Sequence, residues 1–207
     1  MQTASKRKMS TRALALGAIL TALVVVLQCM GQFIRFGMFS ISLVLIPIVI
    51  GAASYGWRSG AWLGLVFGVL VLSACITGTD IGGSAMWNFN PAVTAVICIV
   101  KGVAAGALAG LTYEALHKKS RIFATVAAAI VCPVVNTGLF TLGAVAVFKP
   151  LLLEWAAGWA EQTGRTGVSL LAYIFLGMIG LNFLVEMGIN VILSPIIVRI
   201  LKIRKVS

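Results

Sequence analysis

"PAVTAVICIVKGVAAGALAGLTYEALHKKSR", residues Pro91 to Arg121, opens on a proline suited to the first turn of a helix and stays mostly apolar to residue 116, with one charge in its middle, Lys101, and one near its end, Glu114. Crossing a hydrocarbon layer of roughly 30 Å takes about 20 apolar residues, so this run is long enough to span a bilayer. Working outward from it, similar runs cover residues 12 to 33, 41 to 55, 60 to 78, 121 to 147 and 169 to 200, separated by short polar connections. The run at 41 to 55 is short for a span. The 207-residue chain is 60% hydrophobic and 10% charged, with mean hydropathy +1.08, which leaves too little polar surface to coat a water-soluble globule. The expectation is an all-α membrane protein of six transmembrane helices forming one domain, residues 1–207.

A formal charge of +11 would fit nucleic acid if the basic residues formed one patch. Their placement says otherwise. Lys6, Arg7, Lys8, Arg12, Arg58, Lys118, Lys119, Arg121, Arg199, Lys202, Arg204 and Lys205 fall at one set of span ends, and only Arg35, Lys149 and Arg165 at the other. Twelve against three is the positive-inside pattern, so both termini are expected in the cytoplasm and no nucleic-acid role is implied.

The opening "KRKMSTRALALGAILTALVVVLQC" resembles a secretion signal, but Gln28 stands where a lipoprotein cleavage site needs a small residue, and no small-x-small site follows. It is read as a retained first span. Cys29, Cys75, Cys98 and Cys132 lie in apolar runs at no metal-ligand spacing and read as small buried hydrophobes.

Glycines at four-residue spacing, Gly60, Gly64 and Gly68 in one span and Gly102, Gly106 and Gly110 in another, place small residues on one helix face, where a neighbouring helix can approach closely. Ala15, Ala18 and Ala22 give the first span a similar small face. That face either packs inside the bundle or is offered to a separate protein. Two connections on the side opposite the basic ends stand out: "TGTDIGGSAMWNFNP" from Thr77 to Pro91, and "FKPLLLEWAAGWAEQTGRTG" from Phe148 to Gly167. The second reads as a short amphipathic helix at the interface, with Trp155 and Trp159 as anchors. Either connection fits a lid over a pocket.

A charge inside a span is costly unless it is paired or reaches water, so each is a candidate functional residue. Lys101 lies eleven residues past Asn90, about 16 Å along a helix, and Glu186 lies thirteen past Tyr173, about 20 Å. Their depths match. They are either a structural ion pair, or a pair in which Lys101 meets a substrate anion while Glu186 helps hold it. Asn136 sits in the middle or outer half of its span, where Pro133 removes a backbone donor and is expected to open the helix. Asn182, Glu186 and Asn190 share a helix face; Asn190 is the deepest and reads as helix glue. With Trp87, Asn88 and Asn90 above them, these residues outline a funnel for a small polar molecule.

The chain has no G-x-x-x-x-G-K-[ST], so ATP hydrolysis is not expected of it. His117, the one histidine, sits beside Lys118 at the edge of a span with no cysteine or second histidine near it in the sequence, which argues against a catalytic or metal centre. No G-x-S-x-G or H-E-x-x-H occurs. An intramembrane enzyme is therefore not expected, nor a cofactor or metal held by this chain; a capture subunit, a carrier and a non-transport membrane scaffold stay open.

Across nearly its whole length the chain resembles the substrate-binding S components of energy-coupling factor (ECF) vitamin transporters. The likeness rests on six spans with cytoplasmic termini, on "RALALGAILTAL", on "ISLVLIPIVIGAASYGWRSGAWLGLVFGVL" with its tight turn, on "NFNPAVTAVICIVKG", and on "NFLVEMGINVILSPIIVRIL". The N-P followed ten positions later by a basic residue is most similar to the pantothenate-type branch, which more often carries arginine where this chain has Lys101. The resemblance implies a multi-pass protein of a prokaryotic cell membrane that captures a small vitamin from outside, with pantothenate as first choice. Implied substrate-binding residues are Lys101, Asn90, Asn88, Trp87, Asn136, Asn182 and Glu186. It further implies docking through Ala15, Ala18 and Ala22 onto a transmembrane coupling protein driven by two cytoplasmic ATPases, which are the subunits that use ATP. The competing expectation is a self-sufficient secondary carrier in which Lys101 and Glu186 act as a proton-linked pair.

Overall fold

A computed structural model describes residues 11 to 206, apart from 34, 37, 38 and 41. The basic residues Lys6, Arg7 and Lys8 lie outside the described residues. The element order is α1 (Thr11–Gly31), β1 (Arg35–Phe36), β2 (Phe39–Ser40), α2 (Leu45–Tyr55), α3 (Trp57–Thr77), α4 (Ile81–Phe89), α5 (Pro91–Leu116), α6 (Arg121–Val147), α7 (Lys149–Thr163), α8 (Leu170–Ala172), a π turn (Tyr173–Met178) and α9 (Gly180–Val206). Among the described residues, five helices are long and apolar enough to cross a membrane; α2 is the shorter apolar helix. This is an all-α membrane protein with one small addition. β1 and β2 pair antiparallel, Arg35 with Ser40 and Phe36 with Phe39, in the connection after the first span.

Polar residues just outside the apolar runs start several of the helices. The side chain of Asp80 accepts from Gly83 N at 2.7 Å, Asn90 from Val93 N at 3.2 Å, and Ser120 from Phe123 N at 3.3 Å, each satisfying a backbone N–H that has no partner within its helix. Gly56, at φ 86°, turns the chain directly from α2 into α3. Glu114 of α5 holds this turn by accepting from Trp57 N at 3.0 Å, and a side chain at Gly56 would be strained at this φ and would crowd the Glu114 carboxylate.

The two glycine rows face each other. A Cβ at Gly60 would collide with Gly106 O, one at Gly64 with Gly102 O, and one at Gly68 would meet Cys98 O; the reverse collisions occur from Gly102 and Gly106. The antiparallel helices α3 and α5 therefore touch backbone to backbone, where dispersion contact replaces the hydrophobic drive that is missing in lipid. Because Lys101 precedes Gly102, this register sets its depth beside Phe67 of α3.

Three expectations are corrected. Pro133 does not open its helix: α6 runs unbroken from Arg121 to Val147 with Pro133 buried. The last apolar run, expected as one span from 169, is divided into α8, the π turn and α9. Ile179 N bonds to Ile174 O at 3.0 Å, and a Cβ at Gly180 would collide with Phe175 O, so glycine permits the wide turn. Cys75, Cys98 and Cys132 are buried, but Cys29 is exposed on α1.

Two packed clusters fill the bundle. One centres on Leu45, Ile48, Phe67 and Ala105. The other joins Met86 of α4, Ile97 of α5, Phe148, Leu152 of α7, and Tyr173 and Ile174 of the π turn. The helix expected in the second connection, α7, thus lies on the bundle, with Leu152 and Ala156 buried, Trp155 against Phe39, and Trp159 against Tyr173.

Candidate functional site

A cavity of about 80 Å³ takes apolar walls mainly from the second cluster, with Met86, Ile97 and Met178 among its lining. Four of the residues picked from the sequence line it: Lys101 of α5, Asn136 of α6, and Asn182 and Glu186 of α9. These positions are far apart in the chain and meet because α5, α6 and α9 pack side by side.

Lys101 is partly buried. Its Nζ lies 4.9 Å from the centre of the Phe140 ring and 5.9 Å from that of Phe67, so aromatic faces offset part of the cost of holding a cation here. Lys101 and Glu186 share the cavity, yet the two do not form an ion pair. Glu186 is 5% exposed and its Oε1 instead accepts from the backbone N–H of Ser42 at 2.8 Å. One turn earlier, Asn182 Nδ2 donates to Phe39 O at 3.2 Å. The last helix therefore holds the hairpin and the segment entering α2. Phe39 itself meets Phe140 edge-on, with ring centres 5.0 Å apart, closing one side of the cavity.

Trp87, Asn88 and Asn90 do not join this group. Asn88 is exposed, Trp87 and Asn90 are half-buried, and none of the three lines the cavity. Asn90 caps α5, and its carbonyl oxygen accepts from the Thr94 hydroxyl at 2.9 Å. Asn190 is deeper on α9, where its Nδ2 donates to Glu186 O at 2.8 Å within the same helix.

Gln28, 4% exposed on α1, also lines the cavity, as do Ser42, Thr94 and Thr137. The sequence held a signal for Gln28: an amide in an apolar run, subject to the same desolvation argument that singles out Asn136. On the opposite side of α1, Ala15, Ala18 and Ala22 are all exposed, whereas Leu20, Val24 and Gln28 turn inward.

Comparison with known proteins decides the family. The family described as "ECF transporter, substrate-specific component" matches residues 12–198. The chain belongs to this family. The ECF component is 27% identical to the "Pantothenic acid transporter PanT" of Lactococcus lactis subsp. cremoris (strain MG1363), over 93% of this chain and 94% of that protein. It shares its fold with a solved structure of ThiT from Listeria monocytogenes, at a TM-score of 0.57 and 21% identity, covering 92% of the ECF component and 97% of ThiT. The family is a transporter's substrate-binding component rather than an enzyme, and the resemblance drawn from the residues is the family found.

Proposed function

We propose that this ECF component captures a small, water-soluble, anionic vitamin or related metabolite, pantothenate first, in the cavity beside Lys101. The observation that carries the reading is the Lys101 ammonium, held among aromatic rings in a cavity wall with no ion pair among the described residues. A partly buried cation in this position is stabilised by an incoming carboxylate. The similarity to PanT supports pantothenate as the first compound to test. Asn182 and Glu186 act by holding the hairpin segment in place. Asn90, Asn88 and Trp87 contribute from the connection above when the ligand occupies the site.

The captured molecule is delivered with a coupling module: a transmembrane protein that docks on Ala15, Ala18 and Ala22, and two cytoplasmic ATPases that use the ATP. The chain itself holds no cofactor. It sits in a prokaryotic cell membrane with both termini in the cytoplasm.

The test is a thermal-shift and calorimetric screen of the purified chain against water-soluble vitamins. Sub-micromolar binding of one carboxylate-bearing vitamin is expected, weakened by about 2–5 kcal/mol, roughly 30-fold or more, in Lys101→Ala. Unchanged affinity in that variant would remove Lys101 from the site. Vesicles containing this chain alone are expected not to accumulate the vitamin under a proton gradient; accumulation would instead establish a self-sufficient carrier.

A further inference from the structure

Gln28 Oε1 and Asn136 Oδ1 are buried and have no hydrogen-bond partner among the described residues. A carbonyl oxygen removed from water without a donor costs about 1–3 kcal/mol, so each such atom calls for an explanation. Both residues line the cavity that holds Lys101, Gln28 from α1 and Asn136 from α6. Asn190 Oδ1 is also without a partner, but Asn190 lies away from the cavity and is set aside. The nearby Thr94 hydroxyl does not supply the missing donor, since it donates to Asn90 O at 2.9 Å.

The three helices thus present one cation and two unpartnered acceptors to a single space, whose lining also includes the carboxylates of Asp80, which caps α4, and Glu186, tied to Ser42. We infer that Gln28 and Asn136 are specificity-determining residues, whose side-chain oxygens accept hydrogen bonds from hydroxyl groups of a ligand held at its anionic end by Lys101. The ligand class is an anion that carries hydrogen-bond donors away from its charge. An anion of the same shape stripped of those donors would leave two buried acceptors unpaired and bind weakly. The inference rests on the reading that Lys101 binds the anion, and it adds Gln28, a cavity contact on the first helix.

Calorimetry on the purified chain can use two probes: pantothenate, which has a carboxylate and two hydroxyls, and its analogue lacking both hydroxyls. Wild type is expected to prefer pantothenate by about tenfold or more. In Gln28→Met and in Asn136→Leu the preference falls, through weaker pantothenate binding with little change for the analogue. The ratio within each variant is insensitive to a partial loss of folded protein, and the wild-type comparison needs no variant at all. Equal binding of the two probes by wild type, or an undiminished ratio in both variants, would overturn the inference and show that the oxygens serve only as water sites. If Lys101→Ala still weakens binding in that case, the anion reading stands alone. Binding of neither probe to wild type would bring down both.

Discussion

Glu186 illustrates what a buried charge does when its obvious partner is not the one it uses. Its carboxylate lies in the same cavity wall as Lys101, yet its observed hydrogen bond is to the backbone of Ser42, 144 residues away in sequence. The charge thereby holds the chain where the hairpin passes into α2, and Asn182 adds a second tie at Phe39. Glu186→Ala leaves the Ser42 N–H without its acceptor and is expected to cost about 1–3 kcal/mol, read as a lower unfolding temperature in detergent. Glu186→Gln keeps an acceptor and is expected to retain most of that stability and most of the vitamin affinity. Equal losses in the two variants would show that the charge itself, not the tie to Ser42, is what the site needs. That Glu186 needs a partner was legible from the cost of a carboxylate in an apolar run. Its partner was not, because a backbone N–H carries no sequence signature.

At the scale of elements, the contact between α3 and α5 places Lys101. Both glycine rows were visible as four-residue periodicities, and both were read as packing faces. That they pack against each other, Gly64 on Gly102 and Gly60 on Gly106, follows only from the helices' rotation and register. Gly64→Ala drives a methyl group into the Gly102 carbonyl; overpacking of this kind typically costs about 1–3 kcal/mol. The helices are expected to separate and Lys101 to shift, so vitamin affinity should fall together with thermal stability. Gly138→Ala on α6 meets nothing within 4 Å and is expected to be neutral or to stabilise by up to ~1 kcal/mol through helix propensity. Similar melting losses in both variants would remove the special role of the row. Hydropathy had marked the end of the molecule around α9 as one run; the π turn interrupts it because the backbone there bonds five residues back, a choice that local apolar character leaves open.

Across the whole molecule, α1 has two sides: Leu20, Val24 and Gln28 turn toward the bundle, while Ala15, Ala18 and Ala22 face away. The sequence left the alanine face open between inward packing and outward presentation, and the structure exposes it. Ala18→Trp is therefore expected to leave vitamin binding by the purified chain intact while abolishing uptake in cells that contain the coupling module. Loss of binding as well would mean that the bulk is felt in the cavity rather than at a docking surface. The run lengths, the membrane class and the family resemblance were all set by the sequence alone, because apolar character adds up residue by residue along the chain and needs no knowledge of neighbours. The small hairpin, the meeting of the glycine rows, the division between cavity residues and the cap at Asn90, and the inward turn of Gln28 were decided by tertiary structure. Each depends on which face of a helix turns toward which neighbour, and that is settled by close backbone approach and by the need of buried polar atoms for partners distant in the chain.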